Sequence, residues 1–266
     1  KRNIFIIASL VLVSFTACKK FLDTKPDAFL QPAEYYKGAN LTNALAGIYN
    51  PLSFYNMFTS GIFVCNDETF YGGPGRNVAP NNASAFGYDY TAANIATLWG
   101  NCYRGIERAN ELLTYVNPDD ASADANAAYG EALFLRGYYY FLLVSKFGDV
   151  PLRLTPTSTP NNADIVRTPA AEVYKQILKD MTDAEGKVKN ATAIAHASRI
   201  SKTVVQGILA RVCLQMAGQP LNDKTKYAEA LAWAKKVQSS GEHALRTTFN
   251  ATLTNSAYSQ IFINHS

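Results

Sequence analysis

Charge is scarce in this chain. Of 266 residues only 17% are Asp, Glu, Lys or Arg, and 25 basic against 21 acidic side chains leave a net charge of +4. Two of those positive charges are Lys1 and Arg2 at the start of the chain. So weak a field excludes a nucleic-acid partner. Histidine is scarcer still, with His196, His243 and His265 standing apart. There is no HExxH, no GxSxG and no GxxxxGK[ST], and Gly72-Gly73-Pro74-Gly75-Arg76 lacks the Lys-Ser/Thr of a phosphate loop. Cys18, Cys65, Cys102 and Cys213 form no CxxC pair. No catalytic residue, metal or cofactor is expected. No apolar run approaches the roughly 20 residues that a membrane helix needs; residues 4–15 and 138–144 are both too short.

What the chain has is apolar and aromatic. Hydrophobic residues make up 48%, with 16 Tyr and 14 Phe, enough for a globular core. Residues 131–152, EALFLRGYYYFLLVSKFGDVPL, carry the densest part: between Ala132 and Val144 only Arg136 and Gly137 are neither apolar nor aromatic. A helix apolar on nearly every side is buried on several sides. Gly148 and Pro151 stop it, and Gly137 at its middle predicts the close approach of another backbone. Helical periodicity predicts further helices from about Leu41 to Asn56, over residues 92–116, from Thr168-Pro169 onward with Thr168 as cap, from Ser201 to Gly218, and over residues 227–239. In the last of these Tyr227, Ala230, Leu231, Ala234 and Val237 are expected to face inward, and Trp99 is assigned to the core. Small residues at Gly207, Ala210, Ala230 and Ala234 are expected at helix crossings. Cys102 and Cys213 fall on helices and read as buried free thiols. The fold class is mostly all-α, built of tetratricopeptide-like helical pairs with long irregular loops.

Two stretches depart from the helical pattern. Lys1-Arg2-Asn3, the apolar residues 4–15 and the small residues before Cys18 form a lipoprotein export signal. Residues 1–17 are therefore read as signal peptide, Cys18 as the lipidation site and residues 18–31 as a lipidated tether. Residues 63–90 are rich in turn formers yet hold Phe70, Tyr71, Phe86, Tyr88 and Tyr90 among charged residues. An ordered surface loop of this kind offers aromatic faces and polar groups to a ligand. The candidate binding residues are Asp67, Glu68, Tyr71, Arg76, Tyr88 and Tyr90.

Several segments resemble one family in the same order along the chain. Arg136, Tyr138-Tyr139-Tyr140 and Phe147-Gly148-Asp149-Val150-Pro151-Leu152 resemble the characteristic helix and turn of SusD/RagB-like outer-membrane nutrient-binding lipoproteins. Lys19-Lys20-Phe21-Leu22-Asp23, Asn66-Asp67-Glu68 and Tyr103-Arg104-Gly105-Ile106-Glu107-Arg108-Ala109-Asn110 are similar to further family segments. Ser259-Gln260-Ile261-Phe262-Ile263 reads as a strand opening and resembles a segment near the middle of a member. The resemblance implies a SusD-like α-helical domain over residues 32–266, incomplete at its C-terminus. It also implies a non-enzymatic, lipid-anchored protein on the cell surface of a Gram-negative bacterium. Such a protein captures an oligosaccharide, or a peptide, and passes it to a SusC-like TonB-dependent outer-membrane transporter.

Two other classes stay open at this point. One is a tetratricopeptide-like adaptor whose groove holds a protein segment. The other is a glycoside hydrolase, which needs two carboxylates across the scissile bond; Asp67, Glu68 and Asp89 are the residues available for it.

Overall fold

The computed structural model describes residues 32–54, 81–82, 87–88, 91, 93–118, 122–159, 164–194 and 198–244. The chain divides into two compact units, residues 1–35 and 36–266. The described part of the first is the single-turn helix α1, Pro32–Tyr35. The second contains α2 (Asn40–Tyr49), α3 (Ala93–Tyr115), α4 (Ala123–Phe147), α5 (Ala170–Glu185), α6 (Lys202–Ala217) and α7 (Lys226–Ser239). Two short antiparallel ladders accompany them. β1 (Asn81–Asn82) pairs with β2 (Gly87–Tyr88), and β3 (Val150–Pro151) pairs with β4 (Arg167–Thr168). The mostly helical prediction is met, and none of the described helices is long and apolar enough to cross a membrane.

α4 is the hub. Ser122 caps its first turn by accepting from Ala125 N at 3.3 Å. Its C-terminus turns at Gly148, whose φ of +67° is readily reached only by glycine and whose N–H donates to Val144 O. α3 and α5 pack antiparallel against it, since residue numbers fall along each partner as they rise along α4. Gly130, Arg136 and Phe141 of α4 meet Val188, Asp180 and Tyr174 of α5 and its C-terminal extension. On the other side Arg136, Tyr139 and Tyr140 meet Asn110, Gly105 and Tyr103 of α3. Leu133, Leu135, Tyr139, Tyr140 and Leu143 are all buried between these neighbours.

Two glycines permit the packing. A Cβ on Gly137 would lie 3.2 Å from Met181 Cγ and 3.4 Å from Ile177 O, which is the close approach that the sequence predicts. A Cβ on Gly105 would lie 2.2 Å from the Tyr139 ring. That ring crosses α3 so that its hydroxyl donates to Ile48 O on α2 at 2.6 Å.

Two polar clusters fix the helices in register. Arg136 forks onto Asp180 with Nε and Nη2 both at 2.8 Å, and the two residues are only 7% and 1% exposed. Further along α4, Glu131 accepts from Tyr49 of α2 and from Arg199, while Tyr49 Oη accepts from Ile200 N at 3.0 Å. This second cluster joins segments 151 positions apart in sequence.

Four expectations change. The helix expected to reach Asn56 stops at Tyr49 and tightens into a 3₁₀ turn, Asn50–Ser53, because Pro51 lacks the donor that would continue it. The cap of α5 is not Thr168, which lies in β4; Asp149 accepts from Ala170 N at 2.8 Å instead. Among the described residues nothing lies within 4 Å of a Cβ on Gly207, so no close crossing is seen there. In α7 only Ala230 is buried, while Tyr227 is 50% and Leu231 56% exposed. α7 packs chiefly on α6 among the described elements, so a narrow strip of its broad apolar face is covered.

Cys102 and Cys213 are buried free thiols, as expected from the sequence. Burial pushes Cys102 up to about 12. Burial, then the nearby Glu229 carboxylate, pushes Cys213 up to about 11. At pH 8 both are protonated, so neither should react with a thiol-exchange reagent until denaturant is added; labelling followed by peptide mass spectrometry reads this directly. A second expectation uses the glycines of α3. A Cβ on Gly100 would meet none of the described residues within 4 Å, so Gly100→Ala should stabilise by up to about 1 kcal/mol. Gly105→Ala must displace the Tyr139 ring and should destabilise by about 1–3 kcal/mol in denaturant titrations.

Candidate ligand-binding site

The candidate site grows from one face of α3. Trp99, Tyr103 and Glu107 recur at four-residue spacing, so their side chains stack along the same side of the helix. Opposite them runs a strap, residues 151–157, which leaves α4 through β3. Together with Ile165 these two walls enclose an open cavity of about 510 Å³. Trp99, Tyr103 and Glu107 line one wall, and Pro151, Arg153 and Thr157 the other.

The α3 wall is an aromatic shelf that ends in a carboxylate. The Trp99 and Tyr103 rings lie 5.0 Å apart at 46°. Phe147 meets Trp99 edge-on at 5.1 Å, and Tyr140 meets Tyr103 edge-on at 6.5 Å. Edge-to-face contacts hold such rings without covering both their faces. Burial, then the neighbouring Tyr140, pushes the Tyr103 phenol well above its ordinary range, so it remains a neutral donor, and it donates to Pro151 O at 2.8 Å. Glu107 accepts from Thr157 N at 2.6 Å and from Thr157 Oγ1 at 3.1 Å, closing the far end of the strap onto α3.

The strap is also held from beneath. Arg153 O accepts from Tyr140 Oη at 2.8 Å and from Asn110 Nδ2 at 3.1 Å. Arg153 N donates to the same Tyr140 hydroxyl at 2.6 Å. Thr155 O accepts from Asn110 Nδ2 at 3.3 Å. The arrangement presents flat apolar faces beside a carboxylate, a guanidinium and a hydroxyl. Such a surface takes up a ring that is apolar on its faces and hydroxylated at its edge.

A second, more polar hollow of about 310 Å³ lies near the start of α2, where Thr42 and Leu45 face Asp124, Ala128 and Arg199. Its charged residues are engaged, Asp124 with Lys189 and Arg199 with Glu131. The hydrogen bond from Lys189, and then its charge, hold the Asp124 carboxyl below its ordinary range.

The sequence pointed to other residues. Asp67, Glu68, Tyr71, Arg76 and Tyr90 lie outside the described residues, as do Cys18 and the strand expected at residues 259–263. The Tyr88 backbone pairs with Asn81 in the β1–β2 ladder. Trp99, assigned to the core, instead lines the cavity and is half-buried; Leu98 takes the core position beside it. The spacing of Trp99, Tyr103 and Glu107 was a signal available in the sequence. Arg153 and Thr157 sit in a stretch without periodicity and gave none.

Comparison with known proteins bears on this arrangement. A family profile described as starch-binding and associating with the outer membrane, of SusD-like type, matches residues 20–214. The chain belongs to the SusD-like family. SusD-like protein P2 of Formosa agariphila is 27% identical over 190 residues, which span 68% of this chain and 36% of that protein. A SusD homologue of Bacteroides thetaiotaomicron superposes with a TM-score of 0.67 at 28% identity, covering 79% of this chain and 42% of that one. Surface glycan-binding protein A of Bacteroides uniformis shares the fold, with a TM-score of 0.63 at 21% identity over 79% of this chain and 48% of that one. The chain thus spans less than half the length of these relatives.

Proposed function

We propose that this SusD-like chain captures a glycan at the cell surface and passes it, uncleaved, to a SusC-like TonB-dependent transporter in the outer membrane. The observation that carries the reading is the cavity of about 510 Å³ with Trp99 and Tyr103 on one wall and Arg153 and Thr157 on the other. A sugar ring lies on the aromatic shelf, and its hydroxyls meet the polar edge. Covering about 100 Å² of apolar surface on one ring is worth roughly 2.5 kcal/mol before costs. A few such contacts, less the entropy of association, give affinities of the order of micromolar to millimolar. The family description names starch, and a structural neighbour is named as glycan-binding, which makes an oligosaccharide the favoured cargo over a peptide. Among the described residues the cavity presents one carboxylate, Glu107, whereas hydrolysis of a glycoside uses two facing carboxylates. The segment with Asp67, Glu68, Tyr71, Arg76, Tyr88 and Tyr90 is proposed as an additional contact surface.

Isothermal calorimetry against soluble starch fragments and laminarin tests the reading. Trp99→Ala should weaken a bound glycan at least tenfold, about 1.4 kcal/mol, at matched folding. A bound glycan whose affinity stays within threefold of wild type in Trp99→Ala places the site elsewhere.

The same reading has the export signal of residues 1–17 removed and Cys18 lipidated. One acyl chain anchors only marginally, whereas several anchor stably, so the mature protein should stay in the outer-membrane fraction. Cys18→Ser should move it out of that fraction and change its electrophoretic mobility. Unchanged fractionation and mobility would refute lipid attachment at Cys18.

A further inference from the structure

The strap is exposed on its outer side, with Leu154 39% accessible and Thr157 open to solvent. A segment of this kind has no regular backbone ladder of its own beyond the two rungs of β3–β4. Its shape is set from within. Three successive carbonyls, those of Arg153, Leu154 and Thr155, all accept from buried side chains. Asn110 serves the first and third, Arg136 Nη1 reaches the second at 3.4 Å, and Tyr140 holds both the N–H and the carbonyl of Arg153. Asn110 and Tyr140 are 1% and 0% exposed.

The donors have no freedom to turn. Arg136 carries only donors, so the Asn110 oxygen must face it, and it accepts from Nη1 at 2.9 Å. That leaves the Asn110 amide nitrogen toward the strap. Arg136 is itself locked by its fork onto Asp180, which Gln176 supports with a further bond at 2.8 Å. The orientation therefore passes from α5 through α4 and α3 to the strap. Neither Asn110 nor Tyr140 lines the cavity, whereas Arg153 and Thr157 do.

We propose that Asn110 and Tyr140 are positioning residues: they set the affinity of the cavity for a glycan by fixing the backbone from which Arg153 reaches the ligand. The proposal rests on the glycan reading of the cavity, and the experiment separates the two. Tyr140→Phe removes one hydroxyl and keeps the ring. Val212→Ala, in α6 and away from the cavity, serves as a control of lowered stability.

The first readout needs no ligand. Amide hydrogen exchange of peptides covering residues 152–158, followed by mass spectrometry, should speed up at least tenfold in Tyr140→Phe and stay within twofold of wild type in Val212→Ala. Unchanged exchange in Tyr140→Phe overturns the proposal. The second readout is calorimetry with soluble starch fragments and with laminarin. Tyr140→Phe should weaken binding about tenfold in the wild-type background and less than twofold when Arg153→Ala is already present. Equal losses in both backgrounds would mean that Tyr140 acts without Arg153, and the proposal falls. If the wild type binds neither glycan, the glycan reading and the affinity claim built on it both fall, and the exchange result then reports only on the strap. Asn110→Asp keeps the bond from Arg136 but cannot donate to the strap. It should give the same pattern, and it stands in for Tyr140→Phe should that variant fold poorly.

Discussion

The fork of Arg136 onto Asp180 is the interaction on which the rest of the arrangement depends. Removing both charges from water is expensive, and the fork offsets this only with the help of further hydrogen bonds around it. Asp180 accepts from Arg136 twice and from Gln176, and the free edge of Arg136 serves Asn110 and Leu154 O. Such a pair is weak evidence for stability, since an apolar replacement can do as well. Its value here is geometric. Sliding α5 along α4 by one turn would strand both charges in the core, so the fork fixes the register of α3, α4 and α5 together.

The three consecutive tyrosines of α4 divide the work that follows from that register. Successive helical positions point about 100° apart, so Tyr138, Tyr139 and Tyr140 face three neighbours. Tyr139 crosses Gly105 to reach Ile48 O on α2, and Tyr140 reaches up to the strap. Tyr138 is partly exposed and stacks on Phe134, with ring centroids 5.9 Å apart. Burial lifts the phenols of Tyr139 and Tyr140 far above their ordinary range, so both serve as neutral donors. One side chain type thus ties α4 to the structure below it and to the cavity wall above it.

Much of the helical frame was legible because its signals are local. Gly148 as a stop, Ser201 as a cap and the period of Val173, Ile177, Met181 and Ala184 depend on neighbours a few residues away. The overrun of α2 past Tyr49 ignored a local signal, Pro51, but two other errors fall where a distant segment intervenes. Asp149 displaces Thr168 as the cap of α5 from 21 residues away, and no local pattern encodes that. Trp99 shares an apolar stripe with Leu98 and Cys102, but only the packed fold shows that the strap stands off from it and leaves a cavity. The residues of α3 that hold the strap are separated from it by 43 to 50 positions, so neither their grip on it nor the place of Arg153 was readable beforehand, although the spacing of Trp99, Tyr103 and Glu107 was. The candidates chosen from the sequence precede α3 in the chain, and all but Tyr88 fall outside the described residues.

The rim of the cavity is open to change in a way that its walls are not. The base of the strap is pinned by the β3–β4 rungs, Val150 to Thr168 and Pro151 to Arg167, and by the grip on residues 153–155. Between Thr157 and β4 no such grip is needed to hold the base in place, so residues can be added or removed there while the bundle keeps its register. Doubling the length of such a connection costs only about 0.6 kcal/mol of closure entropy. Chains that share this helical frame can therefore change the outer rim of the cavity, and with it the size and shape of what can enter, by insertion or deletion alone.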